Sequence, residues 1–259
     1  MYEKIRRFIK DFRNSATASV GGSFPVEDKA VIDAFQAEPD NTFLVSFPRT
    51  GSHWLRMLME LYFGRPSLTR VFYYPNRRDY LTLHTHDLNL TVERSHVLYL
   101  YRDPVDTVYS QLQYHREPFQ DPGRIDHWSE LYGRHLDKWL CRERFTVRKT
   151  VLTFEAMKTG LSEVFTRIAG HFGEAFDPGR LEEAARRVTK AEVKAKTPHD
   201  PQAVQIGPAY ASSRERFRRD FHDRVWDTVF RERNGLKRVF STESPGIGPG
   251  RNRWLSDRD

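Results

Sequence analysis

The feature that most constrains this chain lies between residues 43 and 63, where a strand-like run breaks at a tight turn and restarts as a helix. Phe43-Leu44-Val45 is a continuous apolar run, the signature of a strand covered on both faces. Pro48 ends it, because proline cannot donate to a ladder. Gly51 frees the turn to close around an anion, and Leu55, Leu58, Met59 and Phe63 then recur at helical spacing. A helix starting at such a turn offers unpaired amides and the positive end of its dipole, which suits a phosphate or sulfate. Taken alone, the same residues also describe an ordinary strand-turn-helix with Ser52 as its cap. The nucleotide pattern G-x-x-x-x-G-K-[ST] does not fit, since Ser52-His53 follows Gly51 where Lys-Ser/Thr is required.

Further apolar runs along the chain also end in polar residues. Residues 80 to 86 alternate like a short strand, which puts His84 and His86 on the same side. His96 to Tyr101 reads as a buried strand and runs into Arg102-Asp103-Pro104, where Asp103 caps a helix and Pro104 opens it. Thr150 to Phe154 is another strand, and helices are expected near 26–37, 127–142, 155–159, 161–172 and 179–188. Strands separated by helices imply βαβ units, hence an α/β fold with a central, mainly parallel sheet flanked by helices, to which the resemblance given below adds a P-loop-like three-layer form. Ligands of such sheets sit beyond the carboxyl ends of the strands, so Arg49, His86, Arg102 and Phe154 are placed to converge.

An anionic ligand is compatible with a net charge of +7, although an Arg-rich solvated surface explains that charge equally well. The 259 residues, 38% hydrophobic, suffice for one core, and we expect a single domain over 1–240. Residues 1–25 form its N-terminal helix and linker, and 241–259 a flexible tail. Ile5, Phe8, Ile9 and Phe12 make an apolar face on 2–13, which fits either the domain edge or peripheral contact with a membrane. Cys141 is the sole cysteine, which excludes an internal disulfide; it is expected to pack with Trp128, Leu131, Leu136, Trp139 and Leu140. No apolar run reaches the ~18 residues of a membrane span, and the N-terminus lacks the apolar stretch of a secretory signal, so a cytoplasmic location is expected. Residues 64–78 read as a surface excursion. Residues 196–212 read as a polar segment before a charged helix to about 233, whose Phe217, Phe221, Val225 and Phe230 form a docking face. His84 and His86 invite a metal, but no third ligand stands at a characteristic spacing and none is expected; two histidines without a role remain an alternative.

Pro48-Arg49-Thr50-Gly51-Ser52-His53-Trp54 resembles the 5'-phosphosulfate loop, Pro-Lys-Ser-Gly-Thr-Thr-Trp, of the sulfotransferases that use 3'-phosphoadenosine 5'-phosphosulfate (PAPS). Arg102-Asp103-Pro104, with Ser110 eight residues after the arginine, resembles the 3'-phosphate motif of that family. The resemblance spans roughly residues 42–172. It implies transfer of a sulfuryl group from PAPS to a hydroxyl or amine of a small-molecule, sugar or lipid acceptor, with release of adenosine 3',5'-bisphosphate (PAP) and no metal.

It also implies roles for individual residues. Arg49, Thr50, Gly51, Ser52 and His53 would hold the 5'-phosphosulfate, Arg102 and Ser110 the 3'-phosphate, and Trp54 and Phe154 the adenine. His84-Thr85-His86 falls where cytosolic members carry Lys-Thr-His, which makes His86 the base and His84 a donor contact, with Asp87 in reserve. Arg49 replaces the usual lysine and would act by stabilising charge. The family's late Arg-Lys-Gly clamp is missing, and Arg214 or Arg216 is the candidate substitute. A P-loop kinase needing ATP and magnesium, or a basic non-catalytic module for phospholipid or nucleic acid, are the rival readings. Nucleic acid is not expected as a partner of the sulfotransferase.

Overall fold

The computed structural model describes residues 24–26, 28–143, 146–200, 202–204 and 207–242. The expected helix at 2–13 and the tail beyond residue 242 lie outside the described residues. In chain order the elements are β1 (Phe24–Pro25), α1 (Lys29–Ala37), β2 (Thr42–Ser46), α2 (Ser52–Phe63), β3 (Ser67–Leu68), β4 (Arg70–Val71), β5 (Thr82–Thr85), β6 (His96–Tyr101), α3 (Pro104–Tyr114) and α4 (Pro122–Leu136). They continue with β7 (Arg148–Thr153), α5 (Phe154–Thr159), α6 (Leu161–His171), α7 (Pro178–Arg187), α8 (Lys190–Lys196), α9 (Pro208–Phe230) and α10 (Asn234–Thr242).

Five strands form one parallel sheet in the order β3-β5-β2-β6-β7. Successive side chains of a strand face opposite ways, and the two faces of this sheet carry separate cores. Phe43, Val45, Val97, Tyr99 and Tyr101 pack with Leu112, Tyr132, Leu136, Trp226 and Phe240 on one side. Leu44, Leu98, Leu100 and Leu152 pack with Leu55, Leu58, Phe165 and Leu181 on the other. The expected three layers are therefore present, and β2, at the centre, is buried along its whole length. Among the described residues no helix is long and apolar enough to cross a membrane.

Several local expectations are corrected. Ser52 does not cap α2; the cap position is Gly51, in the left-handed conformation, and Ser52 is already helical. The first helix starts at Lys29 with Asp28 accepting from the amides of Ala30 and Val31. The helix expected at 127–142 starts at Pro122, capped by Asp121, and gives way after Leu136 to a π-helical turn over Asp137–Arg142. That wider turn shifts the phase of the helix, and Cys141 is exposed rather than packed. Residues 196–212 contain the end of α8 and the start of α9, and the last helix continues to Thr242.

Residues 64–78 are not merely a surface excursion, because Ser67, Leu68, Val71 and Phe72 are buried. The cause is Glu60, a buried acid on α2 whose carboxylate accepts from the amides of Ser67 (3.0 Å), Phe72 (2.9 Å) and Tyr73 (2.9 Å). Burial raises its pKa, and those three amides oppose the rise.

Candidate active site

The carboxyl ends of β2, β5, β6 and β7 bring together the residues singled out by sequence. The β2 chain turns through Phe47-Pro48-Arg49-Thr50-Gly51, with positive φ at Arg49 (71°) and Gly51 (95°). A side chain at 51 has no room, since a Cβ there would lie 2.4 Å from the Phe154 ring. Thr50 donates to the Phe47 carbonyl at 2.8 Å and Gln111 to the Pro48 carbonyl at 3.2 Å, so the turn is pinned from within and from α3.

Ser46, the last residue of β2, organises the histidines. Its hydroxyl lies 3.0 Å from Nε2 of His84, and its carbonyl 2.7 Å from Nδ1 of His86. The two rings meet edge to face at 4.8 Å. Because a carbonyl only accepts, Nδ1 of His86 carries the proton and Nε2 the lone pair. Burial, aided by Arg56 and Arg49, outweighs the Ser46 carbonyl and Asp87 and lowers the pKa of His86 to about 4. Burial likewise takes His84 well below 6.5. Both are neutral at physiological pH. Asp87, the reserve base, is occupied: Arg94 donates to both of its oxygens, at 2.9 and 3.0 Å.

Arg102 follows β6 and lies 4.7 Å above the Phe154 ring, while Trp54 meets that ring edge-on at 5.9 Å. It donates to the Arg49 carbonyl at 3.3 Å, which ties the two basic motifs together. Ser110 accepts from Nε of Arg49 at 3.3 Å, another link between them. Two buried nitrogens, Nε of Arg102 and Nδ1 of His53, have no hydrogen-bond partner among the described residues. Unpartnered buried groups of this kind also occur in the core, at the indole nitrogens of Trp139 and Trp226.

Of the two candidates for the late clamp, Arg214 reaches the site region and Arg216 does not. Arg214 donates to both oxygens of Asp106, one at 2.8 Å, and Arg218 lies 2.8 Å from Asp103 and 3.0 Å from Asp106. Arg102 is 3.5 Å from Asp106, so three guanidiniums gather on two carboxylates. Burial pushes the Asp106 carboxyl up, but Arg214, Arg102 and Arg218 outweigh it and hold its pKa at about 2. Arg216 is exposed.

Other site neighbours escaped the sequence reading. Asp200 pairs with Arg49 at 2.6 Å and lies 3.8 Å from His53, and the Gln202 carbonyl accepts from Arg49 as well. Tyr132 and His135, on α4, contact the backbone of Arg102 and His86. Tyr114 lies under the Arg49 guanidinium at 5.0 Å, so the end of α3 reaches the turn, and the next residue, His115, stacks on Trp128. Among the described residues no group of three His, Cys, Asp or Glu side chains is placed to hold a metal.

Two linked basic residues, Arg49 and Arg102, thus stand at the carboxyl ends of a parallel sheet, where ligands of such sheets sit. The sequence profile of the sulfotransferase domain matches residues 70–235, well over half of the chain, and the chain belongs to that family. No curated protein sequence matches it. The fold is similar to mouse sulfotransferase SULT7A1 complexed with PAP, at 15% identity and a TM-score of 0.55, covering 82% of this chain and 94% of that one. Retinol dehydratase in complex with androsterone and inactive cofactor PAP is also similar, at 14% identity and a TM-score of 0.45, covering 72% and 82%.

Proposed function

We propose that this sulfotransferase takes its sulfuryl group from PAPS and passes it to the hydroxyl or amine of a small-molecule, sugar or lipid acceptor. The observation that carries the reading is the Arg49–Arg102 junction, because PAPS bears anionic groups at both ends of its ribose and needs two basic sites bridged by an adenine platform. The 49–53 turn, with Ser52 and His53, holds the 5'-phosphosulfate. Arg102 and Ser110 hold the 3'-phosphate, and Phe154 and Trp54 flank the adenine. The orphaned nitrogens of Arg102 and His53 fit these roles, and the mouse protein of the same fold is complexed with PAP. We read residues 1–240 as one such domain, a reading supported among the described residues by two cores that share one sheet.

The acceptor oxygen attacks sulfur while the bond from sulfur to the bridging phosphate oxygen breaks, and PAP leaves with that oxygen. Nε2 of His86 takes the acceptor's proton, since its other nitrogen is committed to Ser46. Arg49 stabilises the charge that develops on the leaving oxygen. His84 contacts the donor. The acid-base step is typically worth about 10²- to 10⁴-fold.

Calorimetry with PAP, and with ATP in the presence of magnesium, tests the donor: PAP is expected to bind more tightly, and a preference for ATP with magnesium overturns the reading. Label transfer from PAPS to a panel of phenols, sugars and lipids then identifies the acceptor class.

A further inference from the structure

We infer that α4 sets the placement of the donor arginine against the base, with Tyr132 and His135 as its positioning residues. The inference rests on the roles given above to Arg102 and His86, and it concerns how those two residues are held.

The sheet cannot hold them. The β6–β7 ladder closes at the Tyr101–Thr153 pair, and the β2–β5 ladder at Val45–Thr85. Phe47, His86 and Arg102 are each the first residue past the end of a strand, where main-chain groups lose their ladder partners and must find others. Arg102 and His86 find them on one face of α4, against which Phe47 packs its ring.

Tyr132 and His135 stand three positions apart, so they share a face of the helix, and both are buried. The Tyr132 hydroxyl accepts from the amide of Arg102 at 3.0 Å and donates to the carbonyl of the same residue at 2.7 Å. One hydroxyl thus brackets both peptide groups of Arg102 and fixes the direction in which its side chain leaves. His135 Nε2 lies 2.9 Å from the His86 carbonyl and, facing an acceptor, must donate. Its Nδ1 then accepts from the Tyr99 hydroxyl at 3.0 Å, so the tautomer that the His86 carbonyl requires is satisfied on both nitrogens. Phe47 packs on both side chains, 4.7 Å from the Tyr132 ring and 5.5 Å from that of His135.

His86 is consequently held at two points. Its ring is tied to Ser46 on β2 and its carbonyl to α4. Loss of the second hold lets the main chain of His86 turn, and its ring then no longer meets the Ser46 carbonyl squarely.

The two residues have separable consequences. Tyr132→Phe keeps the ring against Phe47 and removes only the hydroxyl. It is expected to weaken PAP about tenfold, the scale of one hydrogen bond to a charged group, while adenosine 5'-monophosphate, which has no 3'-phosphate, binds nearly as before. His135→Leu is expected to leave PAP affinity within about twofold and to turn His86 from the single Nδ1–H tautomer into a mixture. His135→Gln, which restores an N–H donor near the place of Nε2, is expected to bring that tautomer back.

Calorimetry of both nucleotides and nitrogen-resolved NMR of labelled histidine read these outcomes without an identified acceptor. Equal weakening of both nucleotides by Tyr132→Phe, or an unchanged His86 tautomer in His135→Leu, overturns the inference. So does a Gln variant that resembles the Leu variant. Arg102→Ala separates this from an error in the site itself: if it too affects both nucleotides equally, the site assignment fails whatever α4 does.

Discussion

Asp200→Asn is expected to tighten the binding of PAP, because the Asp200 carboxylate occupies the guanidinium assigned to the donor. Asp200 Oδ2 lies 2.6 Å from Nη1 of Arg49, with the two side chains only 12% and 11% exposed, so water screens the pair little. A hydrogen bond between charged groups contributes roughly 1.5–3 kcal/mol. A ligand that must open such a contact loses apparent affinity in proportion to the fraction of open molecules, on the order of tenfold to a hundredfold for that energy. Asparagine retains an oxygen that accepts from Arg49, and the Gln202 carbonyl stays in place, so the lower end, about tenfold, is the expected gain. Asp200→Glu keeps the charge and serves as the control without a gain. Calorimetric titration of PAP into the three proteins measures the effect. Unchanged or weaker binding by Asp200→Asn refutes the reasoning, since it means that the carboxylate stands clear of the donor or helps to hold it.

Arg102→Ala should weaken PAPS more than adenosine 5'-phosphosulfate, by roughly tenfold to a hundredfold in calorimetry; equal losses remove Arg102 from the 3'-phosphate site. Gly51→Ala meets both a left-handed backbone, costing about 1–2 kcal/mol, and the Phe154 ring, so thermal melting should fall and PAP binding with it; normal PAP affinity counts against the adenine platform. His86→Ala should lose about 10²- to 10⁴-fold in transfer from labelled PAPS with PAP affinity little changed. With its pKa lowered to about 4, the free enzyme keeps its base unprotonated down to that pH, so kcat/KM should stay flat from pH 8 to about 5; an acid limb near ~6.5 points to a histidine in an ordinary aqueous setting. Glu60→Gln puts an amide group against three backbone donors and should cost about 1–3 kcal/mol in denaturant unfolding; an unchanged midpoint shows that the carboxylate is not what draws residues 67–73 inward.

What was legible in the sequence was what lies close together along the chain. Proline and glycine at 48 and 51 announce their turn locally, the period of two places His84 and His86 on one side, and Asp103-Pro104 marks its helix start. The contacts that complete the site join distant segments. Asp200 is 151 residues from Arg49, and no local pattern distinguishes it from any solvated aspartate. Tyr132 and His135 were hidden for another reason, since an aromatic and a histidine beside Ile125, Trp128 and Leu136 on an amphipathic helix read as packing, and only the strand ends beside them reveal what their polar atoms hold. The choice between Arg214 and Arg216 was open to sequence reasoning. Phe217, Phe221 and Val225 already fixed the docking face of α9, and 214 and 218 fall on it at helical spacing while 216 points away. Asp103 and Asp106, three apart at the start of α3, offer the matching face. Complementary charges at helical spacing on both partners therefore select Arg214 over its neighbour, and they set it beside Arg102 through the Asp106 carboxylate that both arginines contact.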